Sequence, residues 1–147
     1  MTDHDRVSVQ LLRPGARVPV RQSTLASGYD LHAELGGGSM EVGTRPVRVP
    51  TGIAIAAPPD VDVQIRPRSG LALRGVLATF GTIDADYRGE IFVTLYCLPD
   101  PGRYVVEDGD RIAQLVVARL APVDLEVTDT LDETARGEGG HGSTGQR

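Results

Sequence analysis

Hydrophobic and polar positions alternate with a period of two along most of the chain. "VSVQLL" sets Val7, Val9 and Leu11 on one face, "VDVQIR" does so with Val61, Val63 and Ile65, and "VDLEVT" with Val123, Leu125 and Val127. Such alternation predicts strands with one buried face. "VRV", "GIAIA", "EIFVTLYCL" and "RIAQLVVARL" add further short strands, and "AELGGGS", "APPD", "LPDPG" and "EDGD" punctuate them with turn residues. Many short, evenly spaced strands predict an all-β sandwich, jelly roll or closed barrel. One stretch breaks the period: "RPRSGLALRG" predicts a short helix over Ser69–Arg74, with Ser69 as its N-cap and Gly75 as its stop. After Leu131 no period remains, and "DETARGEGGHGSTGQR" has nothing to bury. The chain therefore divides into a β domain over 1–130 and a flexible, glycine-rich arm over 131–147.

Composition narrows the class. The 147 residues, 40 % hydrophobic and 24 % charged, suit one globular domain with a real core. No apolar run approaches the roughly 20 residues that span a bilayer, and "MTDHDRVSVQ" carries charge where an export signal needs an apolar stretch. Both predict a cytoplasmic protein without a membrane partner. Cys97 is the only cysteine, which excludes an internal disulfide and a cysteine-based zinc site and predicts a small buried hydrophobe. A net charge of −5 argues against a nucleic-acid surface. The chain has no lysine, so any phosphate site must be built from arginine, backbone N–H and hydroxyls.

Five stretches carry candidate chemistry. Arg68-Ser69-Gly70 at the helix start is either an anion site or a plain serine cap beside an exposed arginine. In "GTIDADYRGEI", alternation places Asp84, Asp86, Arg88 and Glu90 on one face. For Asp86, Arg88 and Glu90 this predicts a solvated charged surface. Asp84, between Ile83 and Ala85 in partly apolar surroundings, is the carboxylate suited to orient or deprotonate a water. Asp30 in "SGYDLHA" reads as a turn cap before a metal partner. Gln114 in "GDRIAQLVV", polar within an apolar run, is a tie between strands or a ligand contact. "RGEGGHGSTG" is a frayed tail, or else a mobile arm with Arg136 as an arginine finger, His141 as a stacking ring and Ser143 and Thr144 as phosphate hydroxyls.

Taken in order, "SGYDL", "PRSGLA", "GTIDADYRGEI", "GDRIAQLVV" and "RGEGGHGSTG" strongly resemble the five motifs of the trimeric dUTPase family, from about Ala26 to Gly145. The resemblance implies a β jelly roll assembled as a homotrimer with shared active sites. It implies hydrolysis of dUTP to dUMP and pyrophosphate, with Mg²⁺ held mainly by the triphosphate. Asp84 would activate water, and Tyr87 would pack under the deoxyribose and exclude a 2′-OH. The hairpin at Gly81, Thr82 and Ile83 would read uracil. Arg68, Ser69, Gly70 and Gln114 would hold phosphates, and Asp30 would steer metal-bound water. Arg136, Gly142, Ser143 and Thr144 would close over the γ-phosphate while His141 covers the base. Two positions depart from the pattern. Ala78 stands where many members have asparagine, so base selection would rest on backbone groups. His141 replaces the commoner phenylalanine, so stacking would be weaker and pH-sensitive near about 6.5. The related dCTP deaminases share the fold, and a non-catalytic nucleotide-binding trimer is the other alternative.

Overall fold

A computed structural model of the chain describes residues 6–140 and residue 145. It contains eleven strands and one helix among those residues: β1 (Ser8–Leu11), β2 (Gly28–His32), β3 (Ser39–Val42), β4 (Val47–Pro50), β5 (Ile53–Ala56), β6 (Val61–Arg66), α1 (Ser69–Leu73), β7 (Val76–Ala78), β8 (Gly81–Ile83), β9 (Phe92–Cys97), β10 (Tyr104–Glu107) and β11 (Arg111–Arg119). Every strand pairing is antiparallel. The largest sheet runs β2-β11-β6-β8, a second runs β4-β9-β7, and β1-β5 and β10-β3 form two-stranded ribbons. This is the jelly-roll-like all-β architecture that the alternation predicts.

The core follows the period-two rule where both faces are defined. On β6, Val61, Val63 and Ile65 point inward, and on β9 Val93, Leu95 and Cys97 do the same. Cys97 is the buried hydrophobe expected, and its thiol donates to the Val42 carbonyl at 3.3 Å. The rule fails in "VDLEVT". Residues 121–128 form no strand, and Val123, Leu125 and Val127 are 72 %, 97 % and 97 % exposed. The segment pairs with none of the strands among the described residues. The helix also differs from expectation. Its N-cap is Arg68, with extended backbone and no side-chain capping bond, and Ser69 is already helical. Five residues are too few for a helix dipole to matter. Gly75, at φ 76°, ends it as expected.

The hairpin after β8 is tied to the body by a charged cluster. Strand β8 ends at Ile83, so the alternation through Asp84 to Glu90 is broken by a turn. Glu90 consequently leaves the solvated face assigned to it and turns inward. Both of its carboxylate oxygens accept from Arg13, Nη1 at 3.1 Å and Nη2 at 2.5 Å, and Oε1 also accepts from the Gly52 backbone N–H at 2.9 Å. The Arg13 Nε donates to Glu34, which is buried. Gly52 is at φ +70°, and an added Cβ would lie 2.8 Å from that of Ala16, so only glycine can present this N–H. Next to it, Ile91 N–H donates to Ile53 O at 2.8 Å, and the Thr51 hydroxyl donates to Ile91 O at 2.5 Å.

The Arg13 hydrogen bonds hold the Glu90 carboxyl below its ordinary pKa of 4.5, against the upward pull of burial. A depressed carboxyl stabilises the fold fully above its unfolded value and loses that contribution as pH falls through the folded one. Glu90→Gln should therefore cost about 1–3 kcal/mol at pH 7 in urea denaturation, the range for hydrogen bonds to charged groups. The gap to the parent should shrink in acid below the folded pKa. A gap constant from pH 7 down to that acid range would contradict the pairing.

Candidate active site

Three of the five motifs meet in one cleft. Gln22, Ala26, Ser27, Gly28, Asp30, Arg68, Ser69 and Gln114 line a cavity of about 250 Å³. Asp30 is not a turn cap: it sits inside β2 and is 7 % exposed. Its backbone N–H donates to Val20 O at 2.8 Å. Its carboxylate lies between two arginines, with Arg68 Nε 3.4 Å from Oδ1 and Arg111 Nη1 3.3 Å from Oδ2. Arg68 is held from a second side, donating through Nη1 to the Arg111 carbonyl at 3.0 Å. These contacts fix the cations at the rim before any anion arrives, which is the preorganisation that anion binding rewards. Sequence reasoning missed Arg111. Its signal is a charge at the first position of an otherwise apolar strand.

Gln114 is a structural tie and also lines the cleft. Its Nε2 donates to Pro67 O at 2.9 Å, tying β11 to the residues before α1, while the same side chain lines the cleft. It crosses Gly28 so closely that an added Cβ there would lie 2.1 Å from Oε1. Gly28 is thus a close-approach glycine of the cleft floor. Gly70 is exposed on α1 and does not line the cavity. Beside Asp30 in sequence, His32 has a buried Nδ1 with no hydrogen-bond partner. Its pKa is pushed below 6.5, first by burial and then by Arg17.

A second cleft, of about 270 Å³, is lined by Arg48, Thr82, Ile83, Asp84, Tyr87, Glu90, Ile91, Phe92 and Thr94. The turn that shapes it closes with Tyr87 N–H donating to Asp84 O at 3.0 Å. The Tyr87 hydroxyl donates to Glu90 O at 2.9 Å, and Arg88 Nη1 donates to Ala85 O at 2.6 Å and Tyr87 O at 2.9 Å. Asp84 is exposed and lines the cleft beside Ile83, Tyr87, Ile91 and Phe92. Asp86 and Arg88 are exposed, as a solvated face requires. Ala78 is 6 % exposed on β7 opposite Leu95, in the core and outside the cleft lining. Arg48 and Phe92 went unnoticed in the sequence. They come from β4 and β9, and the Arg48 guanidinium lies 5.0 Å over the Phe92 ring.

The two clefts share no residue: one gathers side chains from β2, β11 and the segment after β6, the other from β8, the turn after it, β4 and β9. Asp30 pairs with Gln114, Gln114 with Arg66, and Ile65 with Gly81. Three strand spacings and a four-residue offset along β6 separate Asp30 from Asp84 by about 20 Å over the sheet surface. Arg136 lies apart from both lining sets, exposed, with its Nε donating to Gly139 O at 2.6 Å. The expected roles of His141, Gly142, Ser143 and Thr144 fall outside the described residues. No group of three or more metal-ligating side chains occurs among the described residues. A hard cation at Asp30 would take most of its oxygen ligands from another molecule.

Comparison with known proteins bears on this arrangement. A dUTPase family model matches residues 15–145. The deoxyuridine 5'-triphosphate nucleotidohydrolase of Treponema pallidum is 48 % identical over 136 residues, 90 % of this chain and 92 % of that protein. That of Wolinella succinogenes is 45 % identical over 152 aligned positions, 99 % of each. Among solved structures, the dUTPase of Staphylococcus bacteriophage 80alpha with dUPNHPP superposes with a TM-score of 0.83 at 25 % identity, covering 97 % of this chain and 99 % of that one. The dUTPase of phage phi11 of S. aureus, described with a structural Mg(II) ion, shares the fold at 20 % identity and a TM-score of 0.76, over 86 % and 98 % of the two chains. With its motifs in order, its jelly-roll-like sheets and a family match over nearly its whole length, the chain belongs to the dUTPase family.

Proposed function

We propose that this chain hydrolyses dUTP to dUMP and pyrophosphate in the cytoplasm, as a homotrimer whose active sites are shared between subunits. The observation that carries the shared site is the separation of its two halves. A group that activates water must stand within about 2.6–3.2 Å of it, or one water further. Asp84 cannot meet that requirement at a phosphate held by Gln114 of the same chain, two strand spacings across and four residues along the sheet, about 16 Å away. A neighbouring copy bringing its Asp84 to this copy's Asp30 cleft removes that difficulty. The exposed alternation of Val123, Leu125 and Val127 supports the same assembly, because a strand without an edge at home is suited to one on another copy.

Within such a site the residues divide the work by chemistry. Arg68, Ser69 and Gln114 hold the phosphates, with Arg68 fixed in place by Asp30 and the Arg111 carbonyl. Asp84 accepts the proton of the attacking water as the phosphoanhydride to the α-phosphate breaks and pyrophosphate leaves. Tyr87 lies under the deoxyribose, and Gly81, Thr82 and Ile83 offer backbone groups to uracil. Ala78, with its methyl buried in the core, offers the base no side-chain contact. Asp30 fits a role toward Mg²⁺ through water: it is a hard-oxygen donor in the phosphate cleft with no second carboxylate beside it, so the triphosphate must supply the remaining ligands. Bound there, Mg²⁺ would neutralise phosphate charge. The arm closes last, Arg136, Gly142, Ser143 and Thr144 over the γ-phosphate and His141 over the base, excluding water.

Two measurements test this function. Pyrophosphate release from dUTP, dCTP, dTTP and UTP, with and without Mg²⁺, should show a strong preference for dUTP. Asp84→Asn should then keep dUTP binding and lose turnover by about 10²–10⁴-fold, the usual contribution of a positioned base. Unchanged turnover removes Asp84 from the chemistry, and ammonia released from dCTP would make the enzyme a deaminase.

Truncation after Ala135 should leave a folded assembly whose turnover drops about 10³-fold or more, the scale of losing an arginine finger. A truncated protein that hydrolyses dUTP normally would strip the arm of its role.

A further inference from the structure

The Arg13–Glu34–Glu90 cluster is the largest charged network outside the phosphate cleft, and two of its members lie outside all five motifs. Both edges of the Arg13 guanidinium are used: Nε on Glu34, and Nη1 and Nη2 on Glu90. Glu34 is 7 % exposed and also accepts the Gly36 N–H at 3.1 Å, so it is anchored on the strand side of the cluster. A planar arginine fork between two fixed carboxylates sets distance and angle together, which a lysine cannot do. The cluster therefore fixes where Glu90 stands relative to the body of the subunit.

Glu90 in turn holds Tyr87. The Tyr87 hydroxyl donates to the Glu90 carbonyl at 2.9 Å, and the ring lies back across Gly89, where an added Cβ would be 2.4 Å from the phenol oxygen. Tyr87 is 43 % exposed, so core packing does little to keep its ring in place. Its height above the cleft is set by two backbone-anchored bonds, one to Asp84 O and one to Glu90 O. The second of these ends on the residue that Arg13 clamps.

We propose that Arg13 and Glu34 are positioning residues for sugar selection: by clamping Glu90 they set the height of the Tyr87 ring and hence its exclusion of a ribose 2′-OH. The inference rests on the assignment of Tyr87 as the platform under the deoxyribose. Exclusion of one hydroxyl by an apolar surface reaches only about 10²-fold even when placement is good, and a site loosened by about 1 Å loses much of it. Neither Arg13 nor Glu34 touches the nucleotide. Their influence passes through the ring.

The test compares kcat and KM on dUTP and UTP for the full-length protein, Arg13→Lys, Tyr87→Phe and the double variant. Arg103→Ala serves as control, since it removes an exposed contact to Glu41 on the β3–β10 ribbon. Arg13→Lys keeps the charge and loses the fork. It should lower the dUTP-over-UTP ratio of kcat/KM about tenfold, chiefly by improving UTP, with kcat on dUTP nearly unchanged. Tyr87→Phe, which keeps the ring and cuts its tether, should lower the ratio similarly, and the double variant should fall no further than the worse single one. If Arg13→Lys does not fold, Glu90→Gln breaks the same pair at constant shape and should lower the dUTP-over-UTP ratio similarly. A folded Arg13→Lys or Glu90→Gln with the parent ratio overturns the proposal, as do effects that multiply independently in the double variant. Failure of the platform assignment shows separately, as a parent enzyme without preference for dUTP or a Tyr87→Leu variant with the parent ratio.

Discussion

The geometry of the four-stranded sheet constrains everything that follows. Its edges are β2 and β8: Asp30 lies on β2 with Gln114 beside it on β11, whereas Asp84 and Tyr87 follow β8. No side-chain rotation closes a gap of about 20 Å. In the function proposed above, the chain therefore carries two half-sites that a second copy unites. A cyclic assembly in which unlike edges meet makes every half-site part of a whole one, and all copies equivalent. In a shared site of the kind proposed, each half would have to keep its geometry until the neighbour's half arrives.

That holding is done by different means on the two edges. At the β2 edge, Asp30 is a buried carboxylate between Arg68 and Arg111, and its negative charge keeps two cations from repelling each other at the rim. At the β8 edge, Arg13 is the cation between two carboxylates, Glu34 and Glu90, and it keeps the hairpin registered on the body. The two networks are electrostatic mirror images. Each satisfies partly buried charges whose desolvation would otherwise be costly. Each also leaves its functional neighbours, Gln114 in one case and Tyr87 in the other, attached through hydrogen bonds to backbone carbonyls.

Much of this was legible in the sequence, and the exceptions have physical causes. Val61, Val63 and Ile65, and Val93, Leu95 and Cys97, are inward because period two is unambiguous where one face is buried. The motifs were legible because glycine, arginine and aspartate fall at positions where close approach and charge matter, as at Gly28 under Gln114. Glu90 was misjudged because alternation assumes the strand continues, and the turn after Ile83 reverses its direction. Asp30 was misjudged because its partners Arg68 and Arg111 are far away in sequence. Arg13 gave no signal at all for the same reason: its carboxylates are 21 and 77 residues distant. Val123, Leu125 and Val127 have a strand's pattern without a strand's partner among the described residues.

The central claim is that one working site draws on two copies, and subunit mixing tests it most directly. Arg68→Ala and Asp84→Asn each disable one half-site and should each be inactive toward dUTP. Unfolded together in equal amounts and refolded, they should regain roughly a quarter of the parent's pyrophosphate release, because a site formed between unlike copies can unite an intact Arg68 with an intact Asp84. A refolded mixture as inactive as its components would place both groups in the same chain's site and contradict the account.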